Sequence, residues 1–285
     1  MVSDRKQYLE DGIMPAVDPF IRWAGGKNWL VKSLDQILGD LHYKNYYEPF
    51  LGGAAIFFAM DHPYHCYLSD ANEDLINTYT AVRDNPYEVI RYFLNYTNTA
   101  EDYYRVRSLM PVDLAERAAR FIFLNQTSYN GIYRVNRDGQ YNVPYGHRAN
   151  WTYDCDRIIN ASYKLQKVKL KCCDFSEYKY RIKEKDLVFL DPPYTVSHNN
   201  NGFIEYNQNL FSIEDQYRLS KYIEFIKRKG AFYILTNAAH PVIKSIFQKS
   251  DDRLLELSRQ SLIGGKKAKR EEITEYIFTN IPKGV

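Results

Sequence analysis

The chain has 285 residues, of which 45% are hydrophobic and 26% charged, a composition typical of a globular protein with a substantial core. No apolar stretch approaches the roughly 18 to 20 residues of a transmembrane helix, and the first residues lack the apolar segment of a secretory signal. The formal net charge of +3 is too small to indicate a nucleic-acid partner by itself. Four cysteines, two of them adjacent and none in a C-x-x-C pair, favour a reduced, cytoplasmic setting. The histidines show no metal-ligand spacing, so we expect no metal site.

Hydrophobic spacing predicts alternating strands and helices at the start of the chain. The expected elements are helices over 28–38 and 54–60, strands over 46–48 and 66–70, and a helix that begins at Asn72. The chemically useful side chains follow the carboxyl ends of these strands, where open α/β sheets bind ligands.

The middle of the chain has a different pattern. Residues 86–125 show only helical spacing, and the segment IYRVNRDGQYNVPYG then alternates around Asp138-Gly139, which predicts a β-hairpin over 130–146. Further elements are expected as helices over 154–165, 213–229 and 241–249 and strands over 168–173, 186–191, 231–237, 254–258 and 273–279. We therefore predict one α/β sheet domain built from residues 1–85 and 151–285, with a helical module over 86–150 inserted into it.

The most specific local signal is the string Asp191-Pro192-Pro193-Tyr194, directly after the apolar strand DLVFL. Two consecutive prolines lack N–H groups and have a fixed φ, so the neighbouring carbonyls point outward. The Asp191 carboxylate and such a carbonyl can each accept a hydrogen bond from one exocyclic amino group, which makes its nitrogen a better nucleophile towards a methyl group. Tyr194 can stack on the same base. The alternative is an ordinary strand exit with a surface tyrosine.

Other strand ends suit a nucleoside ligand. The loop over 48–54 allows close approach of its backbone, but its glycines do not form a G-x-G-x-x-G pattern, and Lys27 does not belong to a P-loop. A nicotinamide oxidoreductase is therefore disfavoured. Asp70 can bind a ribose diol or cap a helix, and Asp174 with Phe175 can hold an adenine or form an exposed turn.

The chain closely resembles Dam-type DNA adenine-N6 methyltransferases of the α class. The resemblance is carried by PFIRWAGGK at 19–27, EPFLGG at 48–53, LSDAN at 68–72, YNGIYRVNRDGQYNVPYG at 129–146 and DPPY at 191–194. It implies an α/β fold with a Rossmann-like, seven-stranded methyltransferase sheet and an inserted helical DNA-recognition domain carrying the hairpin. It also implies S-adenosylmethionine as cofactor, no metal, and double-stranded DNA as partner. Where family members often have a glycine, this chain has Ala54.

The resemblance also implies a role for individual positions. The catalytic loop is Asp191, Pro192, Pro193 and Tyr194. The cofactor-binding residues are Trp23, Ala24, Gly25, Lys27, Phe50, Gly52, Asp70, Asp174, Phe175 and Asp191. The DNA-binding residues are Arg22, Tyr129, Asn130, Ile132, Arg134, Pro144 and Arg148, joined by Lys266, Lys267 and Arg270 of the basic segment KKAKR. The implied target is an adenine flipped out of GATC or a related short site.

Two classes of protein stay open beside this interpretation. A non-catalytic DNA-binding module would share the basic hairpin, and an RNA or protein-amide methyltransferase would share the Pro-Pro-Tyr loop. Ile132 and Arg134 are two residues apart in the expected strand, so they project from one face and can contact a DNA groove together. This arrangement favours duplex DNA as the substrate.

Overall fold

The computed structural model describes residues 17–62, 64–148, 152–195, 211–260 and 272–283. Its elements follow the predicted order closely. They are α1 (Asn28–Val31), α2 (Leu34–Leu38), β1 (Tyr46–Glu48), α3 (Ala55–Ala59), β2 (Cys66–Asp70), α4 (Glu73–Asp84), α5 (Pro86–Phe93), α6 (Ala100–Ser108), α7 (Leu114–Thr127), α8 (Asp156–Leu165), β3 (Val168–Cys172), β4 (Leu187–Leu190), α9 (Ile213–Arg228), β5 (Phe232–Ala238), α10 (Pro241–Phe247), β6 (Arg253–Gln260) and β7 (Glu272–Thr279). Within these described residues, no helix is long and apolar enough to cross a membrane.

The strands form one seven-stranded sheet in the order β3-β2-β1-β4-β5-β7-β6. Strand β1 pairs in parallel with β2 and β4, and β4 pairs in parallel with β5. Strand β7 is antiparallel to both β5 and β6. The predicted α/β class with a seven-stranded, Rossmann-like sheet is thus confirmed.

The chain divides into two compact units, which we describe separately. In the described residues, unit 1 comprises 17–31, 51–62, 69–148 and 152–172, and unit 2 comprises 32–50, 64–68, 173–195, 211–260 and 272–283. These limits differ from the predicted domain limits after residues 85 and 150, because α4 and α8 pack with the central helices of unit 1. The division into a catalytic and a target-recognition domain therefore remains a prediction.

Helix α7 forms the centre of unit 1, where it packs against α4, α5 and α6. It is preceded by Asp113, whose side chain accepts a hydrogen bond from the Glu116 N–H and so caps the helix. Its last seven residues, Phe121 to Thr127, are all buried. The polar residues at its carboxyl end are therefore held inside the unit, next to the segment that follows them.

The core of unit 2 surrounds the middle of the sheet. All four residues of β4 are buried, as expected for a central parallel strand that is covered on both faces. Helix α9 begins with a capping box in which Ser212 and Asp215 each accept a hydrogen bond from the other's backbone N–H. Its apolar residues Leu219, Ile223 and Ile226 join the cluster that contains β4 and β5.

Two predicted elements differ from the structure. The helix expected over 28–38 is interrupted at Lys32 and Ser33, although the apolar spacing continues across the break. The predicted hairpin has its turn where expected, with the Gly139 N–H bonded to the Asn136 carbonyl, but it contains only isolated bridges. Its backbone cannot form a regular ladder because Asn130 and Gly131 have positive φ and Pro144 lacks an N–H.

Candidate functional site

The loop Asp191–Tyr194 leaves the carboxyl end of β4 with Pro192 buried and Pro193 exposed. Thr236 of the neighbouring strand β5 is completely buried, and its hydroxyl donates a hydrogen bond of 2.7 Å to Asp191 Oδ1. The Asp191 carboxylate is therefore oriented by a side chain that the sequence does not bring near it. Asp191 itself is half-buried and so keeps access to a ligand.

Tyr194 is anchored through its hydroxyl, which donates a hydrogen bond to Glu275 Oε2 on β7. Burial raises the pKa of Tyr194 well above its usual value, and the nearby carboxylates of Asp191 and Glu275 raise it further. The hydroxyl thus stays protonated and remains a donor. The tyrosine is half-buried, so part of it is still accessible.

The residue after this loop is held by a chain of buried hydrogen bonds. The Thr195 hydroxyl donates to the Phe211 carbonyl and accepts from the Gln216 amide, whose oxygen accepts from Asn237 Nδ2. Gln216 and Asn237 have no exposed area. This network ties the end of the loop to α9 and β5, so the loop is fixed on both sides of its prolines.

The predicted adenine-binding residues of unit 2 lie beside an aromatic cluster. Phe175 stacks on Phe50 at a centroid distance of 5.3 Å, and the Arg218 guanidinium lies 4.9 Å from the Phe175 ring centre. Asp174 accepts hydrogen bonds from Ser176 and from Arg218. Burial acts to raise the pKa of Asp174, but the hydrogen bonds from Ser176 and Arg218 lower it below its usual value. Phe175 is only 6% exposed, so a ligand would meet its edge or the half-buried Phe50.

The predicted ribose-binding acid belongs to unit 1, where it organises the loop after β1. Asp70 Oδ2 accepts a hydrogen bond of 3.0 Å from the Gly52 N–H, and Oδ1 accepts one of 3.0 Å from the Asn72 N–H. Burial nevertheless raises the pKa of Asp70 above its ordinary value. The Tyr79 hydroxyl donates a hydrogen bond to the Gly52 carbonyl. Both backbone groups of Gly52 are therefore fixed.

Trp23 packs directly over this glycine. A Cβ on Gly52 would lie 2.7 Å from the Trp23 ring, so only glycine leaves room for the indole there. Gly25 is exposed, has a φ of +79°, and has nothing within 4 Å of the position of a Cβ. The open space beside Gly25 and Ala24 is compatible with close approach of a ligand. Lys27 is buried and donates a hydrogen bond to the Gly25 carbonyl, so it shapes this loop from within.

Ala54, where family members often have a glycine, has a backbone conformation that is unfavourable for alanine. Ala54 precedes α3 with a φ of +54°, in the left-handed region that favours glycine. A non-glycine residue in that region costs roughly 1 to 2 kcal/mol. The backbone turn that a glycine would give is nevertheless retained, because the Ala54 N–H bonds to the Leu51 carbonyl.

The hairpin of unit 1 presents Arg134 on its surface. Arg134 Nε donates a hydrogen bond of 2.7 Å to Asn142 Oδ1, and one terminal nitrogen donates to the Asn142 carbonyl. Tyr133 faces the other way and stacks on Trp23 at 5.8 Å, as the alternation predicts. Ile132 is half-buried, and Asn130 and Pro144 are exposed. Tyr129 is 53% exposed, and its N–H is bonded to the Pro144 carbonyl.

Arg22 is held in place through its backbone. The Asn125 side chain accepts a hydrogen bond from the Arg22 N–H and donates one to the Arg22 carbonyl. The guanidinium lies against Gly131, where a Cβ would come within 2.8 Å of it. Burial lowers the pKa of Arg22, and the nearby Arg148 lowers it further. Among the described residues, neither arginine has an acidic partner within ion-pair distance.

The structure brings the predicted residues together in separate groups. Within unit 1 it joins Gly52 to Asp70 and Trp23, and it places Arg22 beside the hairpin residue Gly131. Sequence reasoning missed Asn125, Thr236 and Glu275. Only Glu275 leaves a signal in the sequence, because it is an acid in β7 on the same strand face as the buried Ile277 and Thr279.

The predicted basic contacts Lys266, Lys267 and Arg270 lie outside the described residues. In the part of the chain that the structure describes, no group of three or more His, Cys, Asp or Glu side chains could hold a metal ion.

Comparison with known proteins gives the family. The model of the "D12 class N6 adenine-specific DNA methyltransferase" family matches residues 23–263. The chain is 33% identical over 273 residues to "Type II methyltransferase M1.LlaDCHI" of Lactococcus lactis subsp. cremoris, covering 92% of this chain and 95% of that protein. It is 34% identical over 244 residues to "Type II methyltransferase M.MjaIII" of Methanocaldococcus jannaschii, covering 78% of this chain and 84% of that protein.

A third relative carries the resemblance seen in the sequence. The "DNA adenine methylase" of Escherichia coli K12 is 28% identical over 263 residues, covering 89% of this chain and 93% of that protein. These matches confirm the predicted relationship to Dam-type enzymes and decide against a non-catalytic binding module. The chain belongs to the D12 class of N6 adenine-specific DNA methyltransferases.

Proposed function

We propose that this adenine-specific DNA methyltransferase transfers the methyl group of S-adenosylmethionine to N6 of an adenine flipped out of duplex DNA. GATC or a related short sequence is the proposed site. The observation that carries the proposal is the loop Asp191–Tyr194, whose carboxylate is oriented by Thr236 and whose tyrosine is anchored by Glu275. Flipping is required because N6 lies inside the base pair and the stack of a duplex.

Asp191 is the proposed catalytic carboxylate. Its carboxylate accepts a hydrogen bond from one N–H of the adenine amino group, and the outward carbonyl next to the prolines accepts a hydrogen bond from the other N–H. These two hydrogen bonds draw electron density onto the nitrogen and align it with its electrophile. Once methylated, the nitrogen is strongly acidic and loses a proton to Asp191 or to water. Tyr194 stacks on the flipped base, a contact worth about 1 to 3 kcal/mol.

The residues present fit S-adenosylmethionine. The Asp70 carboxylate follows a strand end, where an acid can accept hydrogen bonds from a ribose diol. The open surface at Gly25, beside Trp23, leaves room for the ligand. Asp174 offers an acceptor for the adenine amino group next to Phe50. When bound, the cofactor supplies an electrophilic methyl group on a positively charged sulfur.

The hairpin is the proposed reader of the DNA sequence. Arg134 is exposed and held by Asn142, so its guanidinium is preorganised for bidentate contact with guanine O6 and N7. Tyr129 is exposed at the base of the hairpin, where it can wedge into the duplex beside the flipped adenine. Arg22 and Arg148, which have no acidic partner among the described residues, supply positive charge near the same segment.

Mapping modified bases in cellular DNA tests the proposal directly. The chain would be expressed in a host without adenine methylation, and its DNA sequenced at single-base resolution. We expect N6-methyladenine at one short recognition sequence, and none with an inactive Asp191 variant. Methylation of cytosine, or of adenines without a common sequence, would contradict the proposal.

Cofactor binding should depend on the ionisation of Asp70. The ionised carboxylate is the form that accepts hydrogen bonds from both ribose hydroxyls, whereas burial favours the neutral form and raises its pKa. Cofactor affinity is therefore full above the folded-state pKa and falls as the pH drops through it, at a higher pH than for an ordinary aspartate. Titration calorimetry with S-adenosylhomocysteine between about pH 4 and pH 8 measures this dependence.

Two variants make the pH test specific. Asp70→Asn should weaken binding and remove the acidic limb, because the amide does not titrate. Glu73→Gln removes an exposed carboxylate close by, at the start of α4, and should retain the wild-type profile. An acidic limb that persists in Asp70→Asn would assign the titration to another group.

A further inference from the structure

Glu275, which anchors Tyr194, also forms a buried ion pair with Arg259. The Glu275 side chain has no exposed area, and Arg259 Nε lies 2.5 Å from its Oε1. The other carboxylate oxygen, Oε2, accepts the hydrogen bond from the Tyr194 hydroxyl. The two oxygens of Glu275 thus connect Tyr194 to Arg259.

The register of the sheet places this contact beside the Thr236 contact. In the antiparallel pair of β5 and β7, Glu275 is opposite Ala238 and Ile277 is opposite Thr236. Directly opposed residues project from the same face, and residues two apart in a strand share a face. Thr236 and Glu275 therefore point to one side of the sheet, from adjacent strands. The first and last residues of the loop Asp191–Tyr194 are each fixed by one of them.

A buried ion pair is weak evidence for a role in stability. Removing two charges from water is costly, and replacing such a pair by apolar residues of similar volume is often neutral or stabilising. The hydrogen bond from a hydroxyl to a buried carboxylate is nevertheless short and strong. This bond holds the hydroxyl end of the Tyr194 side chain, while the two prolines before Tyr194 restrict its backbone.

We propose that Glu275, held by Arg259, is a positioning residue that fixes the plane of the Tyr194 ring for stacking on the flipped adenine. This inference rests on the proposed function. Glu275 does not touch substrate; it acts through the tyrosine hydroxyl. Its removal should therefore affect the DNA-bound, base-flipped state and the rate of methyl transfer, and leave cofactor affinity unchanged.

The test compares variants that separate the ion pair from the hydroxyl. Tyr194→Phe keeps the ring and removes the hydroxyl. The double variant Arg259→Met/Glu275→Leu replaces both charges by apolar side chains, which keeps an unpaired charge from being buried. Each should lower the single-turnover rate by about tenfold, the size of a partly lost base-stacking contact. Glu275→Gln keeps an acceptor for the hydroxyl and should retain most of the rate.

The combined variant is decisive, because Glu275 acts through Tyr194. Adding Tyr194→Phe to the double variant should lower the rate no further. With 2-aminopurine as the target base, the double variant and the combined variant should show the same altered fluorescence in the enzyme–DNA complex. A matched control is Lys227→Met/Asp252→Leu, which replaces another buried pair in unit 2 and should leave the rate unchanged.

Three outcomes would overturn the inference. They are a wild-type rate in the folded Arg259→Met/Glu275→Leu variant, multiplied losses in the combined variant, and an equal loss in the Lys227→Met/Asp252→Leu control. These outcomes are distinct from failure of the proposed function, because that failure would appear in the wild-type enzyme as the absence of N6-methyladenine.

Discussion

Replacing Asp191 with alanine should abolish methyl transfer while binding of duplex DNA persists. The substitution removes the carboxylate that accepts a hydrogen bond from the target amino group, and it leaves the hairpin and its arginines unchanged. Removing one preorganised group at a reacting centre typically lowers the rate about 10²- to 10³-fold. We expect a loss of at least this size in single-turnover methyl transfer at saturating cofactor and DNA.

Two further variants sharpen this prediction. Asp191→Asn is nearly isosteric, but its amide can direct a donor at the amino group, so it should be almost as inactive. Asp40→Ala removes an exposed carboxylate after α2 and should behave like the wild type. DNA affinity is measured by fluorescence anisotropy on the same samples. A turnover close to wild type in Asp191→Ala would remove Asp191 from its catalytic role.

The local features of the catalytic loop could be predicted from sequence because they are contiguous. The apolar strand, the strand-terminal acid and the two prolines define the loop within eight residues, and the structure has β4 over Leu187–Leu190 as expected. The groups that orient the loop could not be predicted in this way. Thr236 is 45 residues from Asp191 and Glu275 is 81 residues from Tyr194, so only the pairing of β4, β5 and β7 brings them close.

The hairpin shows a different limit of sequence reasoning. Alternation correctly separates Tyr133, which packs on Trp23, from the exposed Arg134. It does not predict that a side chain closes the turn, with Asn136 Oδ1 accepting from the N–H groups of Asp138 and Gln140. Such bonds depend on local backbone geometry at the turn. The apolar spacing likewise continues across the break between α1 and α2, so it does not reveal that the helix stops there.

Replacing Arg134 with alanine should reduce discrimination at one base pair of the recognition site. Its guanidinium is fixed by two hydrogen bonds to Asn142, which leaves its other terminal nitrogen outside that contact. Loss of such a base contact costs about 1 to 3 kcal/mol, or roughly 5- to 150-fold in the ratio of cognate to mismatched affinity. Affinities for the cognate site and for each single-mismatch duplex, measured at one salt concentration, give this ratio.

The hairpin itself offers the matched control. Arg137 is an exposed arginine at the turn, three residues from Arg134. Arg137→Ala therefore removes one positive charge from the hairpin but leaves the Arg134 guanidinium held by Asn142. It should weaken binding to all duplexes alike and leave the ratio unchanged. Asn142→Ala keeps the Arg134 guanidinium but frees it to rotate, and should give an intermediate loss at the same base pair. If Arg134→Ala instead weakened all duplexes equally, as Arg137→Ala is expected to do, Arg134 would be a contact to the DNA backbone and another residue would read the base.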